Sequence, residues 1–151
     1  MKAAPKPPAP AKARRVKRRV FVIEDHALMR RSIVGAIQRE PDFTVCGEAE
    51  DAPEALPAIL SLQPDLVLTD IRLKSSSGLD LIKALRERHP EIPIIATTMF
   101  DARQTERLAR AAGASAFVAK QDGAEQLVAI VRQTLDAAKD QGDRPELRGA
   151  P

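Results

Sequence analysis

The sequence is poor in cysteine and in aromatic residues: it has one cysteine, Cys46, four phenylalanines, and neither tryptophan nor tyrosine. A single cysteine excludes an internal disulfide, which suits a reducing compartment. The shortage of aromatic side chains argues against a protein that stacks the bases of single-stranded nucleic acid. We interpret Cys46 itself as a small apolar residue of a buried strand.

The chain also lacks an apolar run of the roughly 18 residues that a membrane span requires. Its first residues include Lys and Pro where a secretory signal has its apolar region. We therefore expect a cytoplasmic protein that makes no membrane contact. The 151 residues, of which 44% are hydrophobic and 30% charged, suit one globular domain.

Acidic residues are absent from residues 1–19, which contain eight Lys or Arg together with Pro and Ala. This composition cannot bury enough apolar surface to offset the entropy lost on ordering, so we predict a disordered basic tail. Residues 20–138 are the predicted folded domain, and residues 139–151 a short flexible C-terminal tail. The basic tail could make weak, non-specific contacts with nucleic acid, although a solubilising or linker role is the simpler interpretation.

Short apolar runs alternate with longer segments of helical period from Val20 onward. The predicted strands are 20–24, 43–49, 65–70, 92–97 and 115–120. The predicted helices are 27–39, 51–62, 79–88, 102–112 and 124–138. Pro57 falls inside the second helix, where we expect a late start or a kink because proline has no amide donor.

Five strand and helix pairs predict an α/β fold with a doubly wound, five-stranded parallel sheet. The flavodoxin-like strand order 2-1-3-4-5, with five helices in three layers, is the predicted solution. Ligands of such sheets bind beyond the carboxyl ends of the strands, at the switch point that lies here between strands 1 and 3.

Polar residues occur at the end of four predicted strands. They are Glu24 and Asp25 after strand 1, Asp70 at the end of strand 3, Thr97 and Thr98 after strand 4, and Lys120 at the end of strand 5. Each has an ordinary explanation when taken alone, such as a helix cap for Asp25 or a turn residue for Asp70. Their joint occurrence at one sheet edge is instead typical of a functional site.

Three carboxylates held close together repel one another unless one is protonated or a cation joins them. An oxygen-rich site with room for water suits Mg²⁺. With that cation present, Asp70 can attack the phosphorus of a donor and form an acyl phosphate. The Lys120 ammonium and the Thr98 hydroxyl are the natural partners of the transferred oxygens.

Residues 20–138 resemble a CheY-like receiver domain of bacterial response regulators, close to receivers of the LuxR and NarL type. The motifs that carry this resemblance are IEDH, LVLTDIRL, Gly78, IIATTM and GASAFVAK. The resemblance implies a phosphoprotein of two-component, phosphorelay signal transduction. Its implied Mg²⁺ ligands are Glu24, Asp25, Asp70 and the backbone carbonyl of Arg72. By the same resemblance, Asp70 accepts the phosphoryl group, while Thr98 and Lys120 contact it.

The resemblance also implies partners. A sensor histidine kinase or a phosphotransfer protein would supply the phosphoryl group. Phosphorylation would then change the surface of helix 4, strand 5 and helix 5, with Phe117 as a switch residue beside Thr98, for an unknown downstream protein. We expect a stand-alone receiver, because residues 139–151 are too few for a DNA-binding domain. We expect no enzyme, but a protein that assists its own phosphorylation and dephosphorylation.

Some residues depart from the family pattern or fit other functions. Lys74 replaces a usual Pro and residues 75–77 are serines, so we expect a looser loop. Phe117 also fits an ordinary buried strand position.

Two functions stay open as alternatives: a receiver whose basic tail binds nucleic acid or another polyanion, and a receiver-like scaffold that is never phosphorylated. A phosphatase of the haloacid dehalogenase type is disfavoured, because Arg72 stands where such enzymes carry a second Asp.

Overall fold

A computed structural model describes residues 16–99 and 102–143 of the chain. The strands are β1 (Arg18–Ile23), β2 (Phe43–Ala49), β3 (Leu66–Asp70), β4 (Ile94–Thr98) and β5 (Ala116–Ala119). The helices are α1 (Ala27–Gln38), α2 (Ala52–Leu62), α3 (Gly78–Arg88), α4 (Ala102–Ala112) and α5 (Ala124–Asp143). A single 3₁₀ turn, Lys120–Asp122, joins β5 to α5. Most of the predicted basic tail and the end of the predicted C-terminal tail lie outside the described residues.

The five strands pair in parallel in the order β2-β1-β3-β4-β5, which confirms the predicted fold. Parallel neighbours need crossover connections, and these place helices on both faces of the sheet. Phe21 and Val67 pack in a core with α2, α3 and α4, whereas Val22 and Leu68 pack with α1 and α5. No helix in the described part of the chain combines the length and the apolar character that a bilayer crossing requires.

The folded domain extends further than predicted at both ends. Arg18 and Arg19, which the sequence assigned to the basic tail, are the first residues of β1. The Arg18 guanidinium contacts Asp136 at 2.7 Å, and the Arg19 guanidinium donates to the Leu62 carbonyl at 2.7 Å. These cations therefore join the start of the sheet to α5 and α2. Helix α5 also continues beyond the predicted end at residue 138.

Helix α2 begins at Ala52, so the expected late start is not found. The side chain of Asp51 accepts a hydrogen bond from the Ala52 amide and caps the helix. Pro57 lies inside α2 and is exposed to solvent. The carbonyl four residues earlier belongs to Pro53, which is also exposed, so water can satisfy the acceptor that a proline leaves without an amide donor.

Candidate functional site

The predicted site residues meet at the carboxyl edge of the sheet. Glu24 directly follows β1, and Asp70 is the last residue of β3. In the strand register Asp70 lies opposite Thr97 of β4, while Thr98 lies opposite Ala119 of β5. The edge between β1 and β3 is the switch point of this topology, so the crevice is where the strand order places it.

An ammonium group lies between two carboxylates in this crevice. Lys120 Nζ is 2.6 Å from Glu24 Oε2 and 2.7 Å from Asp70 Oδ2. The side chain of Lys120 is 6% exposed and that of Glu24 only 2% exposed. Both contacts are charge-assisted hydrogen bonds between side chains that are themselves largely buried.

Three carboxylates at this edge could together hold a cation. One oxygen each from Glu24, Asp25 and Asp70 lies within 4.8 Å of the others. Ligand oxygens lie about 2.0–2.6 Å from Mg²⁺ or Ca²⁺. Two oxygens on opposite sides of one such ion are therefore about twice that distance apart, which agrees with the 4.8 Å limit of this cluster. Asp25 is exposed, which leaves the cluster open to solvent. The all-oxygen ligand set therefore fits a hard divalent cation.

Arg72 and Thr98 occupy the expected places at the edge. The Arg72 amide donates to Asp70 Oδ1 at 3.2 Å, which fixes the second oxygen of that carboxylate. The role of the Arg72 carbonyl as a metal ligand stays a prediction. Thr98 is buried, 2% exposed, at the end of β4. Its neighbour Thr97 donates to the Thr69 carbonyl at 3.5 Å.

The cluster carries more negative charge than Lys120 balances. Burial, together with the nearby charge of Asp70, raises the pKa of Glu24 from 4.5 to about 7 against the opposing hydrogen bond from Lys120. Burial would lower the pKa of Lys120, but its hydrogen bonds to Asp70 and Glu24 raise that pKa overall. A bound divalent cation would relieve this imbalance by favouring the ionised form of Glu24.

Gly78 is required by a close backbone approach behind Asp70. A Cβ atom at this position would lie 2.0 Å from the carbonyl oxygen of Asp70 and 2.8 Å from the Cα of Ile71. The Gly78 amide also donates to the Ile71 carbonyl at 2.7 Å. The glycine of the sequence motif thus lets α3 begin directly against the end of β3.

Phe117 pairs with Ala96 across β4 and β5 and is half-buried. It packs against the core that α2, α3 and α4 share. This position suits a switch residue and an ordinary strand residue equally well, so the switching role stays a prediction.

The serine-rich loop between β3 and α3 is tied down rather than loose, so that expectation is wrong. The hydroxyls of Ser75 and Ser76 both donate to the carboxylate of Asp51, and these bonds lower the pKa of Asp51 to about 2. The Ser77 hydroxyl accepts from the Leu79 amide at 3.2 Å and caps α3. Serines replace the stiffness of a proline with hydrogen bonds, which a reading of the loop alone could not show.

Two residues near the site were missed from the sequence. Asp51 gave only the signal of a helix cap, since an Asp precedes α2. Arg30 on α1 gave no sequence signal of a role near the site. Its guanidinium donates to the backbone carbonyl of Glu24 at 2.9 Å and lies 3.4 Å from Glu48. Such contacts join distant segments of the chain, so no local pattern announces them.

A family of known proteins matches most of this chain. The model of the response regulator receiver domain matches residues 20–132. The chain belongs to the response regulator receiver family. Receiver domains bind Mg²⁺ at an acidic pocket, and the cluster of Glu24, Asp25 and Asp70 is the acidic group of this receiver. The predicted resemblance, with its place in two-component signalling, is thereby confirmed.

Two sequence relatives illustrate the kinship. The DNA-binding transcriptional activator DevR/DosR of Mycobacterium tuberculosis is 30% identical over 138 residues, which cover 87% of this chain and 64% of that protein. Response regulator GacA of Pseudomonas viridiflava is 30% identical over 114 residues, covering 76% of this chain and 53% of that protein. The chain thus spans between half and two thirds of the length of these relatives.

Solved structures agree with both the sequence and the fold. The receiver domain of the response regulator NarL from Mycobacterium tuberculosis superposes with a TM-score of 0.73 at 31% identity, covering 82% of this chain and 98% of that one. A LuxR-family response regulator from Aurantimonas sp. SI85-9A1 gives a TM-score of 0.77 at 28% identity, covering 80% of this chain and 86% of that one. The predicted similarity to LuxR and NarL receivers is confirmed.

Proposed function

We propose that this receiver accepts a phosphoryl group on Asp70, in a Mg²⁺-dependent transfer from a histidine kinase or a phosphotransfer protein. The observation that carries the proposal is that Asp70 takes part in two features of the site at once. Its Oδ2 lies 2.7 Å from the Lys120 ammonium, and it belongs to a carboxylate cluster that fits a hard cation. An acceptor needs both features, because the incoming group brings further negative charge.

In the proposed step, a carboxylate oxygen of Asp70 attacks the phosphorus and forms the new P–O bond. The bond from phosphorus to the nitrogen or oxygen of the donor breaks, and the donor leaves with that electron pair. Lys120 can donate to a phosphoryl oxygen from its position beside Asp70, and Thr98 supplies a hydroxyl at the end of β4. Bound Mg²⁺ would neutralise charge on the phosphoryl oxygens. Glu24, Asp25, Asp70 and the Arg72 carbonyl are the residues proposed to hold it.

The proposed output surface consists of α4, β5 and α5. Thr98 ends β4 and pairs with β5. A shift of its hydroxyl toward a phosphoryl group would therefore change the packing of this surface first. Leu108 on α4 is 50% exposed, which offers a downstream protein an apolar contact. We propose that the receiver acts through such a protein, without turning over a substrate of its own.

Incubation with Mg²⁺ and a small acyl-phosphate donor tests the proposal. We expect the intact protein to gain the mass of one phosphoryl group, and we expect chelation of Mg²⁺ or Asp70→Asn to abolish the gain. Asp80→Asn is a matched control, because Asp80 is an exposed acid in the first turn of α3. A wild-type protein that gains no mass from any donor or kinase would favour the unphosphorylated scaffold.

Contact between the basic tail and nucleic acid stays a prediction. Two of the eight cations of residues 1–19, Arg18 and Arg19, already contact Asp136 and the Leu62 carbonyl within the fold. A DNA affinity that falls steeply with salt and is lost on deletion of residues 1–17 would support this contact. Unchanged binding after the deletion would exclude it.

A further inference from the structure

The segment of residues 48–51, at the end of β2 and before α2, contacts both loops that carry the predicted metal ligands. On one side it faces the loop after β1, which contains Glu24 and Asp25. On the other side it faces the loop after β3, which follows Asp70. We call this segment the brace. Neither the family match nor the proposed chemistry assigns it a role.

The contact with the first loop runs through Arg30. Its guanidinium lies 3.4 Å from Glu48 and 3.5 Å from Glu50, both in the brace. The same guanidinium donates to the backbone carbonyl of Glu24 at 2.9 Å. The side chain of Arg30 is only 17% exposed, so these contacts are partly shielded from solvent. Arg30 therefore links the brace to the peptide that presents Glu24 and Asp25.

The contact with the second loop runs through Asp51. Both of its carboxylate oxygens accept hydrogen bonds from the loop, Oδ2 from Ser75 and Oδ1 from Ser76. The Ser76 hydroxyl accepts in turn from the Ala52 amide at 3.1 Å. Lys74 adds a weaker ion pair with Glu50 at 3.8 Å. The loop is thus held by side chains of the brace and by the first amide of α2.

The base of the loop after β3 is held by Leu73, which packs in the core, and by an isolated β-bridge between Arg72 and Ser77. Among residues 71–77, Leu73 alone is buried, and residues 74–77 are Lys and Ser, which contribute little packing. The Leu73 amide donates to the Ser76 carbonyl at 3.2 Å, which closes a turn without attaching it to the rest of the domain. Hydrogen bonds to Asp51 therefore attach the serine tip of this turn to the brace.

We infer that the brace sets the separation between the two ligand loops, with Asp51 as a positioning residue for Mg²⁺ binding at Glu24, Asp25 and Asp70. The inference rests on the proposed function. A hard cation binds well only when its ligands are held at suitable distances, and groups behind the ligands commonly supply this order. In this receiver the serines that replace the usual loop residues make the attachment.

Removal of the two hydroxyls tests the inference in the full-length chain. Ser75→Ala/Ser76→Ala breaks the attachment but leaves Asp51 free to cap α2 through the Ala52 amide at 3.1 Å. We expect the Mg²⁺ dissociation constant, measured by calorimetric titration, to rise about ten-fold. Ser75→Thr/Ser76→Thr keeps both hydroxyls and should restore most of the affinity. Ser61→Ala, at an exposed serine of α2, is the matched control and should leave the affinity unchanged.

The unfolding free energy without Mg²⁺, measured beside each titration, separates positioning from simple stabilisation. A double Ala variant that is less stable but binds Mg²⁺ as the wild type does would overturn the inference, and so would one that changes neither quantity. If the double variant does not fold, Ser75→Ala alone should still weaken binding, since Ser76 keeps its own bond to Asp51. A wild-type protein that binds no Mg²⁺ would overturn the proposed function and the inference with it.

Discussion

The two edges of the sheet use cations in opposite ways. At the carboxyl edge, one ammonium serves two buried carboxylates, and the pKa of Glu24 is raised because burial outweighs its contact with Lys120. At the amino edge, the Arg132 guanidinium meets the half-exposed acids Asp42 at 2.6 Å and Glu40 at 3.2 Å. There the hydrogen bond from Arg132 lowers the pKa of Asp42.

A second arginine at the amino edge, Arg86, donates hydrogen bonds to backbone carbonyls. The Arg86 guanidinium donates to the carbonyls of Gly113 at 2.6 Å, Pro90 at 2.6 Å and Ile92 at 2.9 Å, which joins the end of α3 to the starts of β4 and β5. At the amino edge, solvent helps to balance the acid beside a cation, whereas at the carboxyl edge the burial of Glu24 outweighs its contact with Lys120. The amino edge is built for stability, and the carboxyl edge keeps an unbalanced charge that a ligand can relieve.

The largest effect is expected at Gly78, where the carboxyl edge is packed most closely. Gly78→Ala would place a Cβ atom within 3 Å of the backbone of residues 70 and 71, so we expect it to cost about 3 kcal/mol of unfolding free energy or to prevent folding. Urea denaturation measures this cost.

Gly35→Ala is the control for Gly78→Ala. Gly35 lies inside α1 and a Cβ atom there would meet no atom within 4 Å, so alanine should stabilise the domain by about 0.5–1 kcal/mol. Equal effects of the two alanines would contradict the close approach at Gly78.

A smaller effect, of opposite sign, is expected at Glu24. Its raised pKa means that the folded state holds a proton more tightly than the unfolded state between pH 4.5 and about 7, so the stability of the wild type falls as pH rises through that window. In the absence of divalent cations, Glu24→Gln should therefore stabilise the domain by about 1 kcal/mol at pH 8 and by less near pH 5.

Thermal unfolding at the two pH values, with and without Mg²⁺, checks the prediction for Glu24. Added Mg²⁺ should stabilise the wild type more than Glu24→Gln, because the variant has lost a ligand. A variant that is less stable than the wild type at both pH values would show that the contact with Lys120 outweighs the burial of Glu24.

The smallest effect is expected at Asp42 on the amino edge. Its lowered pKa has the opposite consequence to that of Glu24: the contact with Arg132 adds stability above the unfolded-state pKa of 3.8, and this stability is lost as pH falls through the lower folded-state value. Because both side chains are more than a third exposed, Asp42→Asn should cost only about 0.5 kcal/mol at pH 7. Urea denaturation measures this cost, which should shrink in 1 M salt because salt screens an exposed ion pair. A cost that stays the same in 1 M salt would contradict this explanation.

Much of the fold could be predicted because β3 and β4 are buried on both faces and therefore appear as apolar runs. The exceptions have physical reasons. Arg18 and Arg19 look like part of the charged tail, yet their guanidinium groups reach Asp136 and the Leu62 carbonyl, which are distant in sequence. The late start expected of α2 is not found, because Asp51 caps the helix at Ala52 and Pro57 lies on an exposed face.

For the candidate site, the order of strands and polar residues along the chain was enough to predict which groups meet. Parallel strands end at the same edge, so the residues that follow β1, β3, β4 and β5 had to converge there. How the charges of these groups are balanced, and which contacts position them, became visible only in the folded chain. The place of Lys120 between Glu24 and Asp70, and the bonds from Ser75 and Ser76 to Asp51, depend on burial and on contacts between distant segments. Neither burial nor contacts between distant segments can be inferred from a local sequence pattern.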